Sequence, residues 1–411
     1  MKKIDLITIL IGIMLFLLII VTIIGGAVFL YSKKANKENT GALVAANADA
    51  LIEANTERNI IETPISTLPN LAFNPVSLNW KEALVSAPWE KRDSQAVVVY
   101  KDKIWVMGGV DANGHVISPG DVDYGDSPYL SDIWSSVDGK NWQLVLNEAP
   151  WGNRRSIEVV DFKGKMWLMG GWGPEVGYKN DVWSSKDGVN WKLETAHAAW
   201  PAREGHQLVV FQNKIWLLGG VNYSKHTFFP WLFGGISFGQ NKLFNDTWYS
   251  DDGINWKQAT NNAGWPPRWD FAVEVFNDKL WVVDGMAFEG KLYNDVWSSE
   301  DGKTWSLVNN NSPFATRQGN AIVDYQDKLW VISRLNAVEY GGGTNDVWYS
   351  SDGINWQKTK TDPLWTGRED VGIVIFKNRI WVLGGMDKNY TWTNDVWYST
   401  SNIDTNADIK N

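Results

Sequence analysis

The sequence contains no cysteine, which removes disulfides, thiolate metal sites, cysteine nucleophiles and a lipoprotein anchor together. Histidine is scarce, with four residues. His115 and His226 fall in two long connections and His206 just after a repeated arginine, so no metal site and no cofactor is expected. A basic surplus is also missing. With 38 Lys and Arg against 47 Asp and Glu, the net charge is −9, which argues against a nucleic-acid partner, because phosphate binding needs a net basic face. Long apolar runs are absent apart from one. Leu6 to Leu30 holds 25 residues without a charge, about 37 Å as a helix and enough to span a bilayer core with some tilt. No small-residue cleavage site follows it, so the expectation is an uncleaved single-pass transmembrane anchor at 4–31 rather than a signal peptide. Lysines flank both ends, and the domain that follows is expected on the extracytoplasmic side. Residues 32–75, rich in Ala, Asn, Glu and Thr and broken by Pro64, Pro69 and Pro75, read as a linker.

What is present in excess is tryptophan, 27 residues, and most of it is periodic. The stretch NDVWYSSDGINW, Asn345 to Trp356, recurs from Ser131, Asn180, Asn245 and Asn294. It reads as a β-hairpin in which Asp-Gly supplies the positive φ angles of a tight turn. Trp80, Trp142, Trp191, Trp256, Trp305 and Trp356 are each followed nine residues later by an aromatic and three further on by an arginine. Those arginines are Arg92, Arg154, Arg203, Arg268, Arg317 and Arg368, and thirteen residues after each lies a Trp in an apolar run. Each unit therefore carries four strands, here called a (VVVY-type), b (IWVMGG-type), c (DVWSS-type) and d (NWQLV-type). Four short strands at a period near 50 residues describe one blade of a β-propeller.

The ends of the array close the count. After the last strand c, at Trp397, there is no Asp-Gly and no following Trp, while VSLNWK at Val76 to Lys81 is a strand d with no strand c before it. The fold class expected is all-β: a six-bladed propeller of four-stranded blades over 76–400, closed by the N-terminal strand, preceded by the transmembrane helix and followed by a disordered tail at 401–411. The paired glycines ending strand b, the Asn-Asp before strand c and the aromatic-x-x-Arg before strand a resemble the kelch repeat. The likeness is strongest in WPAREGHQLVVFQNKIWLLGG from Trp200. That resemblance, which extends to the central domain of galactose-oxidase-like proteins, implies a propeller whose relatives range from protein-binding modules to enzymes. A copper radical oxidase of this kind would need a cysteine cross-linked to tyrosine, and this chain has none. Kelch-type sialic acid mutarotases are the other enzymatic precedent. The sialidase Asp-box turn is only a loose match, since Gly follows Asp directly here.

In a propeller the d–a and b–c connections share one face, where function concentrates on a rigid scaffold. From the strand-b Trp to the strand-c Trp the spacing is 16 residues in blades 2, 4 and 6, but 29 in blade 1 and 32 in blade 3. The blade 1 insert is acidic; that of blade 3, His226 to Phe244, is strongly apolar, and covers the channel or meets a protein or membrane. Four tryptophans fall outside the repeat, Trp172, Trp231, Trp269 and Trp392, all on this face. They either pack the bases of their loops or offer rings to a sugar or protein. The paired glycine becomes Asp284-Gly285 in blade 4 and Ser333-Arg334 in blade 5. Arg155 is a cation outside the repeat. The ligand-binding candidates are thus Trp172, Trp231, Trp269, Trp392, Asp284, Arg334, Arg155 and His206, with no catalytic residue assigned. The repeated arginines are either structural at the blade junctions or a positive ring around the axis. A glycosidase would need two carboxylates at a set separation. Glu204, Glu369, Asp270, Asp370 and Asp284 are available, and no spacing selects a pair. The function expected is a membrane-anchored binding module for a glycan or protein partner on the loop face. A carbohydrate-active enzyme and a scaffold subunit of a membrane complex are the alternatives.

Overall fold

A computed structural model describes residues 78–400, apart from 119–120, 123–125, 224–226, 230–235, 239–240, 320, 333–344 and 361; at 116–118, 121–122, 227–229 and 236–238 it describes the backbone only. Six four-stranded antiparallel sheets follow one another along the chain. In blade 1 the strands are Ala96–Tyr100, Lys103–Val110, Tyr129–Ser136 and Trp142–Leu146. Strands a of successive blades contact one another in a closed cycle, blade 6 meeting blade 1. The sixth sheet takes its outermost strand from the other end of the chain: Asn79–Leu84 pairs with Val396–Thr400, Trp80 opposite Ser399. This is the closure expected from the strand count. Among the described residues no helix is long and apolar enough to cross a membrane; the expected anchor, linker and tail lie outside those residues.

Each repeated residue has a physical task. The six arginines are buried and ion-paired within their own blades to the Asp that opens strand c. Arg92 Nη1 donates to Asp132 Oδ1 at 2.6 Å and Arg203 Nη1 to Asp246 Oδ1 at 2.6 Å. The same aspartates accept from the strand-c Trp indoles, as Trp134 Nε1 to Asp132 Oδ2 at 2.7 Å. The arginine backbone meanwhile faces the preceding blade: the N–H groups of Gly109, Gly171, Gly220, Gly285 and Gly385 donate to the carbonyls of Arg154, Arg203, Arg268, Arg317 and Arg92. One residue thus ties two blades, and removing one partner of such a buried pair costs about 3–5 kcal/mol. The alternative of a positive ring at the axis is overturned, because these guanidinium groups are buried and spent on ion pairs within their own blades.

The turns divide differently from the sequence reading. The a–b turns are the two-residue hairpins with both residues in the left-handed region, as Lys101 and Asp102 at φ 48° and 54°. In the Asp-Gly connection five residues separate the paired Ser136 and Trp142, and within it only the glycine, Gly139 at φ 74°, is left-handed. Asp138 holds the loop by accepting from the backbone N–H groups of Lys140 and Asn141 at 2.9 and 2.7 Å. These bonds favour its ionised form and outweigh its partial burial, so its carboxyl lies low, at about 2. Glycine is required for a second reason. A Cβ on Gly188 would lie 2.2 Å from the ring of Trp105 in the preceding blade, and Gly139, Gly253, Gly302 and Gly353 meet Trp381, Trp167, Trp216 and Trp281 in the same way.

Candidate functional site

Three residues separate each repeated arginine from strand a, and in the first two of them the blades stop being alike: Asp93-Ser94, Arg155-Ser156, Glu204-Gly205, Trp269-Asp270, Gln318-Gly319 and Glu369-Asp370. The second of each pair has a positive φ, 48° to 59° in all six, which turns the chain sharply into strand a. All six of these residues line the mouth of the central channel. Backbone bonds link neighbours around it, Ser156 N–H to Ser94 O at 2.8 Å and Asp370 N–H to Gly319 O at 2.9 Å. Ser94 Oγ donates to Asp370 Oδ2 at 2.8 Å, joining blade 1 to blade 6. Gly319 must lack a side chain, since a Cβ there would lie 2.5 Å from Asp370 Oδ1. Below the ring the channel has a volume of about 300 Å³, polar at Gln95, Glu158 and Gln207 and apolar deeper at Val97, Val159 and Leu208.

Five of the six first residues are held by an antiparallel bridge to the end of strand b or the b–c connection of their own blade, Arg155 to Trp172 and Trp269 to Met286 among them. On one side of the mouth Arg155 Nε donates to Glu204 Oε2 at 3.1 Å, and its Cζ stands 5.8 Å from the Trp172 ring centre. Tyr178 OH donates to Glu204 Oε1 at 3.3 Å. Tyr129 meets Trp172 edge-on at 5.4 Å. The adjoining wall is a second aromatic group, Trp269 with Tyr223 at 6.0 Å and Phe288 at 5.7 Å. Across the mouth Gln318 Nε2 donates to Glu369 Oε2 at 2.6 Å.

Burial and crowding of like charges set the electrostatics. Burial pushes Asp93 up to about 8, with the Asp370 carboxylate adding to the rise and Arg155 opposing it. Glu158 is raised to about 8 by burial and then by Asp370. Asp270 and Glu369 are driven well above the carboxylate range by burial first and Asp370 second, and Asp370 itself is raised by burial. Burial likewise raises the phenols of Tyr129, Tyr178 and Tyr223. The mouth therefore holds neutral carboxyl groups near neutral pH, able to donate a proton or a hydrogen bond. Among the described residues no three His, Asp or Glu side chains converge on a metal position.

Of the candidates read from sequence, Arg155, Trp172 and Trp269 come together here. Three others do not. Trp392 is fully buried, packed with Ala112 and Met386 under the blade 1 connection, so it braces a loop. His206 is fully buried beside Trp200. A Cβ on Gly170 would meet its ring at 2.5 Å, and burial, then Arg203, lowers its pKa to about 3; it is a neutral core histidine. Asp284 is fully buried with its carboxylate 3.4 Å from Arg317 Nε, at a blade junction and not at the rim. Trp231 and Arg334 lie outside the described residues. Of the carboxylates considered, Glu204, Asp270, Glu369 and Asp370 gather at the mouth. Asp93, Glu158, Gln318 and the three tyrosines were not singled out from the sequence. The signal for the first and third was their position, immediately after an arginine that never changes.

No family model matches the chain, and no curated protein matches it. Among solved structures it is similar to the one described as "Structure of YjhT", at 16% identity and a TM-score of 0.57, covering 76% of this chain and 96% of that one. At that identity the likeness is one of fold, and it establishes this chain as a six-bladed β-propeller of four-stranded blades.

Proposed function

We propose that this chain is a kelch-like binding module whose ligand is a saccharide held at the channel mouth. The observation that carries the reading is the pairing of aromatic and polar groups there. Trp172 and Trp269 stand with the Arg155–Glu204–Tyr178 hydrogen-bonded group at a concave mouth above a 300 Å³ channel. Aromatic faces beside a few fixed polar groups suit a ring that is apolar on its faces and hydroxylated at its edge. A glycan array followed by calorimetry tests it. Trp172→Ala and Trp269→Ala are each expected to weaken binding about tenfold or more with thermal stability kept, as loss of a stacked ring at a hot spot does. Unchanged affinity in both variants would reject the site.

A second reading, a carbohydrate-active enzyme of mutarotase or glycosidase type, is favoured by one observation: Asp93 and Glu158 keep their protons up to about 8. Such groups serve as general acids at neutral pH. Turnover of the bound sugar, lost in Glu158→Gln while affinity persists, would distinguish it. The proposal extends to an anchor at 4–31 holding the propeller outside the cytoplasm. Carbonate extraction and protease protection of whole cells would decide that, release into the supernatant being the contrary result.

A further inference from the structure

The polar atoms at the channel mouth that have no partner are mostly acceptors. Gln95, 8% exposed and lining the channel, leaves its Oε1 unpartnered, and so does Gln318, 9% exposed. The amide nitrogens of both glutamines are already used, Gln95 Nε2 on the Leu383 carbonyl at 3.0 Å and Gln318 Nε2 on Glu369 at 2.6 Å. A buried acceptor left without a donor carries a desolvation cost of about 1–3 kcal/mol that a ligand can relieve. The mouth also favours a cation: burial and crowding keep its carboxyl groups protonated in the free chain, and an ammonium ion beside them lowers their pKa and stabilises the carboxylate form. Asp93, Asp270, Glu369 and Asp370 share the mouth with Arg155, and Arg155 is engaged by Glu204 and lies over Trp172. An anionic ligand would meet several carboxyl groups and a cation already paired. A protonated amine brings three donors and no acceptor, and its charge is attracted by an aromatic face such as that of Trp269.

Resting on the saccharide reading above, we infer that the ligand is an amine-bearing saccharide, its ammonium group directed to the Asp93 and Asp370 side of the mouth. Arg155 then serves to keep Glu204 and Tyr178 in place and does not receive a ligand carboxylate. The class of ligand is a sugar with a free amino group, in contrast to its N-acetylated counterpart or a uronic acid.

Calorimetry on the full-length chain at pH 7 compares three probes: a glucosamine trisaccharide, the N-acetylglucosamine trisaccharide and a uronic acid trisaccharide. The amine form is expected to bind about tenfold or more tightly than the N-acetylated form, and the uronic acid not to bind. Asp93→Asn is expected to shrink the preference for the amine to about threefold or less. Equal or tighter binding of the N-acetylated or uronic form overturns the inference while leaving the saccharide reading standing. Binding of none of the three, with Trp172-dependent capture of another glycan on the array, overturns it likewise. Loss of both binding and capture removes the saccharide reading as well. Should Asp93→Asn fail to fold, the comparison of the three probes on the unchanged chain decides alone.

Discussion

Six positions around the channel mouth share one backbone conformation and carry different side chains. Ser94, Ser156, Gly205, Asp270, Gly319 and Asp370 all sit at φ 48° to 59°, a region that costs a non-glycine residue about 1 kcal/mol or more. Four of the six accept that cost, and two of those four are aspartates crowded against other carboxyl groups. Such a site is held together by the ring and not by its own contacts, which gives a pH signature. A carboxyl in the unfolded chain ionises near 4, whereas Asp93 and Glu158 hold their protons to about 8. Between those values the native state binds more protons than the unfolded one, so stability falls as pH rises from about 4 to about 8. Asp93→Asn and Glu158→Gln, neutral at every pH, are therefore expected to raise the melting temperature at pH 8 by about 2 °C or more, and to lose that gain at pH 4. A shift of equal size at both pH values, or destabilisation at pH 8, would contradict it. At this scale the sequence was only half legible. Arg155, Trp172 and Trp269 could be found because they break a repeat. Asp93 and Gln318 offered only their place after a repeated arginine, which says nothing of direction until the left-handed turn after it aims the chain at the axis.

The repeated hairpin shows how an element can be read correctly and for the wrong reason. Its Asp-Gly pair does mark a turn between strands c and d, but the carboxylate of Asp138, not a left-handed Asp, closes the loop. The glycine owes its place to the neighbouring blade's tryptophan as much as to its φ angle. The two causes can be separated experimentally. Gly164, at φ 71° in an a–b turn, has open space around its missing Cβ, whereas Gly188, at φ 77°, faces Trp105 at 2.2 Å. Gly164→Ala is expected to cost about 1 kcal/mol, the backbone term alone. Gly188→Ala adds overpacking against a rigid ring and is expected to cost about 3 kcal/mol. Equal losses by chemical denaturation would show that the tryptophan yields freely. The spacing of Trp and Gly along one blade carries no hint of this contact, because it joins residues of different repeats.

As a whole molecule the ring was the most legible feature, since six units in register and one orphan strand leave few ways to close. The orphan strand Asn79–Leu84 completes blade 6, where Trp80 meets Trp365 edge-on with ring centres 4.6 Å apart, and Leu78 is buried in the same cluster. Removing residues through Lys81 is expected to strip this cluster and expose the edge of Val396–Thr400. A fragment beginning at residue 82 should melt several degrees below one beginning at 76, by about 2–4 °C for each kcal/mol lost; identical melting curves would show that the closure contributes nothing. The same pairing sets a clock on biosynthesis. Asn79 and its partner Thr400 are 400 − 79 = 321 residues apart, so at about 5–20 residues per second the first strand made waits roughly a quarter of a minute to a minute for the last. By the end of that interval five blades have been made, and the first strand is still without its partner. A chain arrested short of Val396 never leaves that state, and whatever guards nascent edges in the cell must hold this one longest.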